Sequence, residues 1–354
     1  WVWAAAALGS PLGGCSSVDV PVAKDPDPPP ASLPFDVSTG CGDAAESLYT
    51  APPEGYASRP RGAILRCTRD PDLSAEELHA RAASTGYTGA MGSGARVYRI
   101  LYRTERGTVP ATPGYSVATV YIPTTPRAAL LPAVVAARGS RGQAPHCAPS
   151  LDDPRAEVVR ADHEAMLLPL IMGGYAVIAP DFAGYSNYGA AGNPPSAYGS
   201  AADVTPSVLD GARALRFFAA STVTAKTVLV GFSQGAHATL ASLALAERYG
   251  YDGELVGVVA YAPLWFNQAV FGAALLVADQ FPIATSPSIP NGTSVWYHYT
   301  AGYLRGGRDE ALAPFVPEKR DAIAAWVDSA CWGKQPQLEA LGTTLRDLYT
   351  TEFQ

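Results

Sequence analysis

Gly231-Phe232-Ser233-Gln234-Gly235 is a G-x-S-x-G pentapeptide set between two different periodicities. Before it, Thr227-Val228-Leu229-Val230 is a short apolar run suited to a buried strand. After it, an alanine-rich stretch from Ala236 to about Arg248 has the composition of a helix. A strand, a sharp turn with serine at its apex, and a helix together make a nucleophile elbow. The glycines are needed because the turn crowds its neighbours. A side chain at 231 or 235 would collide with the adjacent helix or strand. The turn lifts the Ser233 hydroxyl above the sheet, where a base can reach it, and the helix N-terminus behind it favours negative charge.

Outward from the elbow, strand and helix patterns alternate. Arg96–Tyr102 and Tyr115–Ile122 alternate in polarity and read as an antiparallel edge hairpin. Ala129–Ala137 and Tyr175–Ala179 are continuous apolar runs, expected as strands buried on both faces, the second stopped by Pro180. Leu255–Tyr261 is the next strand. Ser74-Ala75-Glu76-Glu77 is a capping box opening a helix to about Ala83. Helices are also expected over Arg155–Met172 and Pro206–Ala220. This alternation predicts an α/β fold with a mostly parallel sheet flanked by helices. After Ala262 the rhythm changes to an apolar stretch from Phe266 to Phe281, polar loops, and an aromatic patch of Trp296, Tyr297, Tyr299 and Tyr303. Two amphipathic helices follow, Pro317–Ala330 and Gln337–Tyr349. The expected organisation is a core over 41–262 and a helical cap over 263–354.

The chain has 354 residues, 48% of them hydrophobic and 16% charged, enough to bury a large core. Its net charge of −7 without a basic cluster argues against nucleic acid as a partner. Residues 1–15 are short and apolar and end in Leu12-Gly13-Gly14-Cys15, similar to the end of a bacterial lipoprotein signal whose cysteine receives lipid. The chain starts at Trp1 and lacks a basic leader, so the N-terminus reads as cut off. A proline-rich tether over 16–40 follows. These features predict a lipid-anchored protein of the cell envelope. Setting Cys15 aside for lipid leaves an even number of cysteines, suited to an oxidising compartment. The expected pairs are Cys41–Cys67 and Cys147–Cys331, one of three possible connectivities. No C-x-x-C and no histidine pair at ligand spacing is present, so neither metal nor cofactor is expected.

A serine nucleophile needs a histidine base and a carboxylate that holds the base, following it along the chain in that fold as acid, then histidine. Only His237 and His298 follow Ser233. His237 lies inside the elbow helix and reads as packing; His298 could act with Asp279, which ends an apolar stretch. The preferred reading puts the last strands, with acid and base, beyond Gln354. The oxyanion hole is expected from the Gln234 N–H and from the loop after the third expected strand, Arg138-Gly139-Ser140-Arg141-Gly142. Asp181 precedes the serine and reads as a turn-capping residue.

Four segments together resemble the secretory lipase family, the fungal lipase-A-type enzymes and their bacterial relatives. They are Tyr98-Arg99-Ile100-Leu101-Tyr102-Arg103, Arg138-Gly139-Ser140 leading to Cys147-Ala148-Pro149-Ser150, Ala179-Pro180-Asp181-Phe182-Ala183-Gly184, and the elbow with Ala236-His237-Ala238. The resemblance implies an α/β-hydrolase fold with a helical lid after the sixth strand, hydrolysis of carboxylic esters, Ser233 as nucleophile, Cys147 in a disulfide, and a non-catalytic His237. Bacterial relatives carry His-Gly-Thr where this chain has Arg138-Gly139-Ser140, which leaves the second oxyanion donor open between Ser140 and Arg141. The family's acid and base segments have no match here. The expected substrate is a lipid or small-molecule ester, with Trp265, Phe266, Phe271, Leu275 and Leu276 as candidate acyl-pocket residues. The alternatives are a peptidase or acyltransferase on the same fold, or a non-catalytic lipoprotein with a degenerate site.

Overall fold

The computed structural model describes residues 35–152, 161–264, 289–332, 341–342 and 344–353. Cys15, Trp265, Phe266, Phe271, Leu275, Leu276 and Asp279 lie outside the described residues. A seven-stranded mixed sheet forms the centre. Its strands are β1 (Ile64–Leu73), β2 (Ala95–Arg106), β3 (Thr112–Pro123), β4 (Leu131–Ala137), β5 (Val177–Pro180), β6 (Val223–Phe232) and β7 (Glu254–Tyr261). The spatial order is β1-β2-β3-β5-β4-β6-β7. The first four neighbours in that order pair antiparallel, and β5, β4, β6 and β7 pair parallel. Flanking helices are α1 (Val37–Gly40), α2 (Ala75–Ser84), α3 (Ala161–Met172), α4 (Ala201–Phe218) and α5 (Gln234–Leu245).

The apolar run of β4 is explained by its two neighbours in the core. Ala133, Val135 and Ala137 join the cluster beneath α4, while Val134 and Ala136 face the opposite cluster beneath α2 and α3. A strand buried on both faces has no position for a polar side chain. The Ser74 capping box forms as expected: Ser74 Oγ accepts from Glu77 N at 3.1 Å and Glu77 Oε2 accepts from Ser74 N at 2.7 Å.

Three expectations are corrected. The expected edge hairpin, β2 and β3, lies inside the sheet, because β1, a strand that periodicity does not reveal, pairs outside β2. β1 lies at the sheet edge, carries Arg66, Arg69, Asp70, Pro71 and Asp72, and its register shifts twice. Its charges are met across the strands, with Arg99 Nε and Nη2 each 2.7 Å from Asp70. Helix α4 begins at Ala201, before Pro206, because Asp203 in its first turn is buried against the end of β2. Asp203 accepts from Arg106 Nε at 2.9 Å and Nη2 at 3.0 Å, and from Gly107 N at 2.9 Å. A fully buried ion pair of this kind holds only because its remaining hydrogen-bonding capacity is also met. Finally, the described part of the expected Gln337–Tyr349 helix is a 3-10 turn over Leu345–Asp347, and Tyr349 forms a β-bridge with Phe315.

The helix Ile289–Leu312, bent at Gly306 and Gly307, and the helix Arg320–Val327 build a second hydrophobic cluster. Trp296 and Tyr299 of the aromatic patch are buried in it, and Tyr297 and Tyr303 pack at its margin. Both cysteine pairs bond as expected, Cys41 to Cys67 and Cys147 to Cys331.

Candidate active site

β6 ends at Phe232 and α5 begins at Gln234, leaving Ser233 alone at the bend with φ 53° and ψ −114°. A non-glycine residue adopts such a conformation at a cost of about 1–3 kcal/mol, and only where its surroundings over-determine it. Here they do. Ser233 N donates to the Tyr261 carbonyl at 2.9 Å, and the Ser233 carbonyl accepts from His237 N at 3.0 Å and Leu264 N at 3.1 Å. The flanking glycines follow from crowding. A Cβ on Gly231 would lie 2.3 Å from the Gly235 oxygen, and one on Gly235 would lie 2.0 Å from the Ala137 oxygen. The turn is therefore pressed between its own helix and the end of β4. Ser233 stays partly exposed while Gln234 is buried.

The loop after β4 runs alongside. The register pairs Ala137 with Gly231, which carries Arg138–Gly142 past the elbow. A Cβ on Gly139 would meet the Phe232 ring at 2.9 Å. Every following residue is held. Ser140 Oγ shares a hydrogen bond with the Tyr198 hydroxyl at 2.6 Å, and Tyr198 N donates to Thr300 Oγ1 at 2.9 Å. Arg141 Nη2 pairs with Asp152 Oδ2 at 2.6 Å, and the Arg141 carbonyl accepts from Trp332 N at 2.9 Å. Gly142, at φ +99°, forms a β-bridge with Cys331, where a Cβ would lie 2.2 Å from the Ala330 oxygen. The Tyr185 hydroxyl donates to the Gly142 carbonyl at 2.5 Å. The Cys147–Cys331 bond thus ties this loop to the helical module. His146 lies near the same two sulfurs, which are committed to each other. Tyr198, Tyr185 and Trp332 are absent from the sequence-based expectations; no short motif contains them.

Because the 147–331 bond closes a long loop, removing it is costly. The paired change Cys147→Ala and Cys331→Ala is expected to lower stability by about 2–5 kcal/mol. Urea unfolding measures this, and an unchanged midpoint would contradict it.

Asp181, expected to cap its own turn, instead binds a residue from another loop. Its Oδ1 accepts from Ser150 N at 2.8 Å and its Oδ2 accepts from Ser150 Oγ. Burial pushes its pKa from 3.8 up to about 7, against the opposing pull of the Ser150 hydrogen bonds and Arg138. A carboxyl raised on folding keeps its proton longer in the native state. Its contribution is complete below about pH 4 and is lost as pH rises through about 7. Asp181→Asn should therefore flatten a decline in stability between those values, on the order of 4 kcal/mol for a shift of this size. Denaturant midpoints of both proteins across that window test it; parallel curves would refute it.

The two downstream histidines sit in different settings. His237 is on α5 beside the backbone of Gly199 and Leu264, and burial lowers its pKa. His298 belongs to the helix Ile289–Leu312, where Nδ1 is 3.0 Å from the Tyr349 hydroxyl, and burial lowers its pKa to about 4. Its ring packs edge-on against Tyr349 and Phe353. Asp279, its expected partner, is outside the described residues.

The segment running from before α3 through β7 contains the elbow, Asp181 and the whole parallel half of the sheet except β4. The family model it matches is "Secretory lipase", over residues 155–266. By that match the chain resembles the secretory lipases. Solved structures add a likeness of fold. Candida antarctica lipase A in its closed state aligns with a TM-score of 0.61 at 19% identity, covering 86% of this chain and 64% of the lipase. The rice cell wall degrading esterase LipA from Xanthomonas oryzae aligns with a TM-score of 0.60 at 16% identity, covering 83% of this chain and 74% of the esterase. A putative hydrolase from Legionella pneumophila aligns with a TM-score of 0.61 at 16% identity, over 82% of this chain and 74% of that protein. The chain therefore spans just under two thirds of the length of the Candida lipase. No curated protein matches by sequence.

Proposed function

We propose that this hydrolase of the lipase/esterase kind cleaves carboxylic esters through an acyl intermediate on Ser233. The observation that carries the reading is the strained, partly exposed Ser233 at the tip of β6, with the 138–142 loop held beside it. Ser233 Oγ attacks the ester carbonyl carbon and gives its proton to a base. Negative charge builds on the former carbonyl oxygen. It is received by the Gln234 N–H and by the N–H of Ser140 or Arg141. Each such donor contributes about 3–4 kcal/mol at the transition state. The alcohol leaves with the proton, and water then repeats the attack on the acyl-serine to release the acid.

The acid and base are proposed to come from strands following β7. In support, β7 lies at the end of the strand order, and Val256, Val259 and Tyr261 on it are 47%, 41% and 51% exposed. Among the described residues no strand pairs with the outer edge of β7, and such an edge is a template for further pairing. Asp279 and His298 are the alternative pair within the chain. His298 would then have to leave the Tyr349 hydroxyl and act despite a pKa near 4.

Lipid esters are the proposed substrates, and a lipid on Cys15 the proposed membrane anchor. No described helix is long and apolar enough to cross a membrane. Turnover by the full-length protein of p-nitrophenyl esters of increasing acyl length, beside a peptide panel, tests the substrate class. Ester turnover is the expected outcome; cleavage of peptides alone would overturn it.

A further inference from the structure

We propose that Asp181 is a positioning residue, fixing through Ser150 the far end of the 138–150 loop and with it the amides that face Ser233. The inference rests on the reading of that loop as an oxyanion hole and adds the element that holds it in place.

Strand register sets the arrangement. β4 and β5 run parallel with Val135 opposite Ile178, so the ends of the two strands bring Asp181 level with Arg138. Arg138 opens the loop and turns back on it, Nη1 donating to the Pro149 carbonyl at 3.1 Å. The loop is thereby closed on itself between its first residue and Pro149. The next residue, Ser150, is where Asp181 takes hold, by both backbone N–H and hydroxyl. Ser150 Oγ is also 2.7 Å from the Tyr49 hydroxyl. One carboxyl thus anchors the exit of a loop whose entrance is β4 and whose first residues, at Gly139, lie against Phe232 of the elbow.

The cost of this arrangement argues that it does more than fill space. Asp181 is 1% exposed, and a carboxyl taken out of water is expensive unless its oxygens are hydrogen-bonded. Charged and titratable neighbours surround it: Arg138 at the loop entrance, Asp152 past Ser150, and Tyr49, Tyr102 and Tyr185 from three other segments. Its two oxygens nonetheless both go to Ser150. Protonation does not break the tie. The carboxyl O–H can donate to Ser150 Oγ, and the Ser150 hydroxyl can then donate to Tyr49. An asparagine can do the same, its amide oxygen accepting from Ser150 N and its amide nitrogen donating to Ser150 Oγ. Alanine can do neither.

The test compares Asp181→Ala, Asp181→Asn and Ser150→Ala in the full-length protein, by hydrogen exchange and by ester kinetics. Asp181→Ala is expected to speed exchange at residues 138–151 selectively and to lower kcat by roughly 10- to 100-fold, with KM changed less than about two-fold. Asp181→Asn should restore slow exchange and kcat. Ser150→Ala, which keeps the backbone bond, should fall between them and serves if Asp181→Ala does not fold. Uniformly faster exchange, an unchanged kcat, or an asparagine variant as impaired as alanine would each overturn the proposal. If the wild-type protein hydrolyses no ester, the functional reading falls, and the exchange pattern alone decides whether Asp181 holds the loop.

Discussion

Ser233→Ala in the full-length protein is expected to lower ester turnover by roughly 10⁴-fold or more, while leaving the unfolding midpoint close to that of the wild type. In the proposed mechanism the hydroxyl forms the covalent bond, so no neighbour substitutes for it. What that mechanism leaves is the electrostatic assistance of the proposed oxyanion donors, the Gln234 and 138–142 amides, to attack by water. Alanine keeps a Cβ at the strained position, so the backbone geometry is unchanged and the loss is chemical. Steady-state turnover of a p-nitrophenyl ester measures it. A mutant that keeps even a tenth of the wild-type rate would remove Ser233 from the mechanism.

Gly235→Ala should have the largest effect on folding of any single methyl added to this chain's elbow. The new carbon would lie 2.0 Å from the Ala137 oxygen and 2.7 Å from the Arg138 oxygen, both backbone atoms of the adjacent strand end. Neither can swing aside as a side chain would. Relief requires α5 to back away from β4, which shifts the Gln234 amide and the loop amides together. We expect a loss of about 3–5 kcal/mol together with loss of ester turnover, read from urea unfolding and kinetics. Gly42→Ala is the control: nothing lies within 4 Å of its added carbon, and its effect should stay within about 0.5 kcal/mol. Equal effects at the two positions would contradict the crowding account.

Which elements were legible follows from where their information resides. β4 and β5 announce themselves because burial on both faces forces an apolar run. The elbow does so because steric crowding admits only glycine two positions before and two after the serine. β1 is hidden because an edge strand can keep its charges wet or pair them across to Arg99. The start of α4 is set by an ion pair between Asp203 and Arg106, far apart in sequence, which overrides the pull of Pro206. The same reason conceals the frame of the loop beside Ser233. Tyr198 meets Ser140 across 58 positions and Asp181 meets Ser150 across 31, and no local pattern encodes such pairs. Cysteine counting, by contrast, carries long-range information, and the expected Cys147–Cys331 bond forms across 184 positions.

The most direct measurement is a map of the covalent adduct left by a fluorophosphonate on the full-length protein, read by peptide mass spectrometry. The expected result is one phosphonylated peptide with the modification on Ser233, lost when 233 is alanine. An unlabelled protein, or an adduct on any other residue, would contradict the claim that this strained serine is the nucleophile.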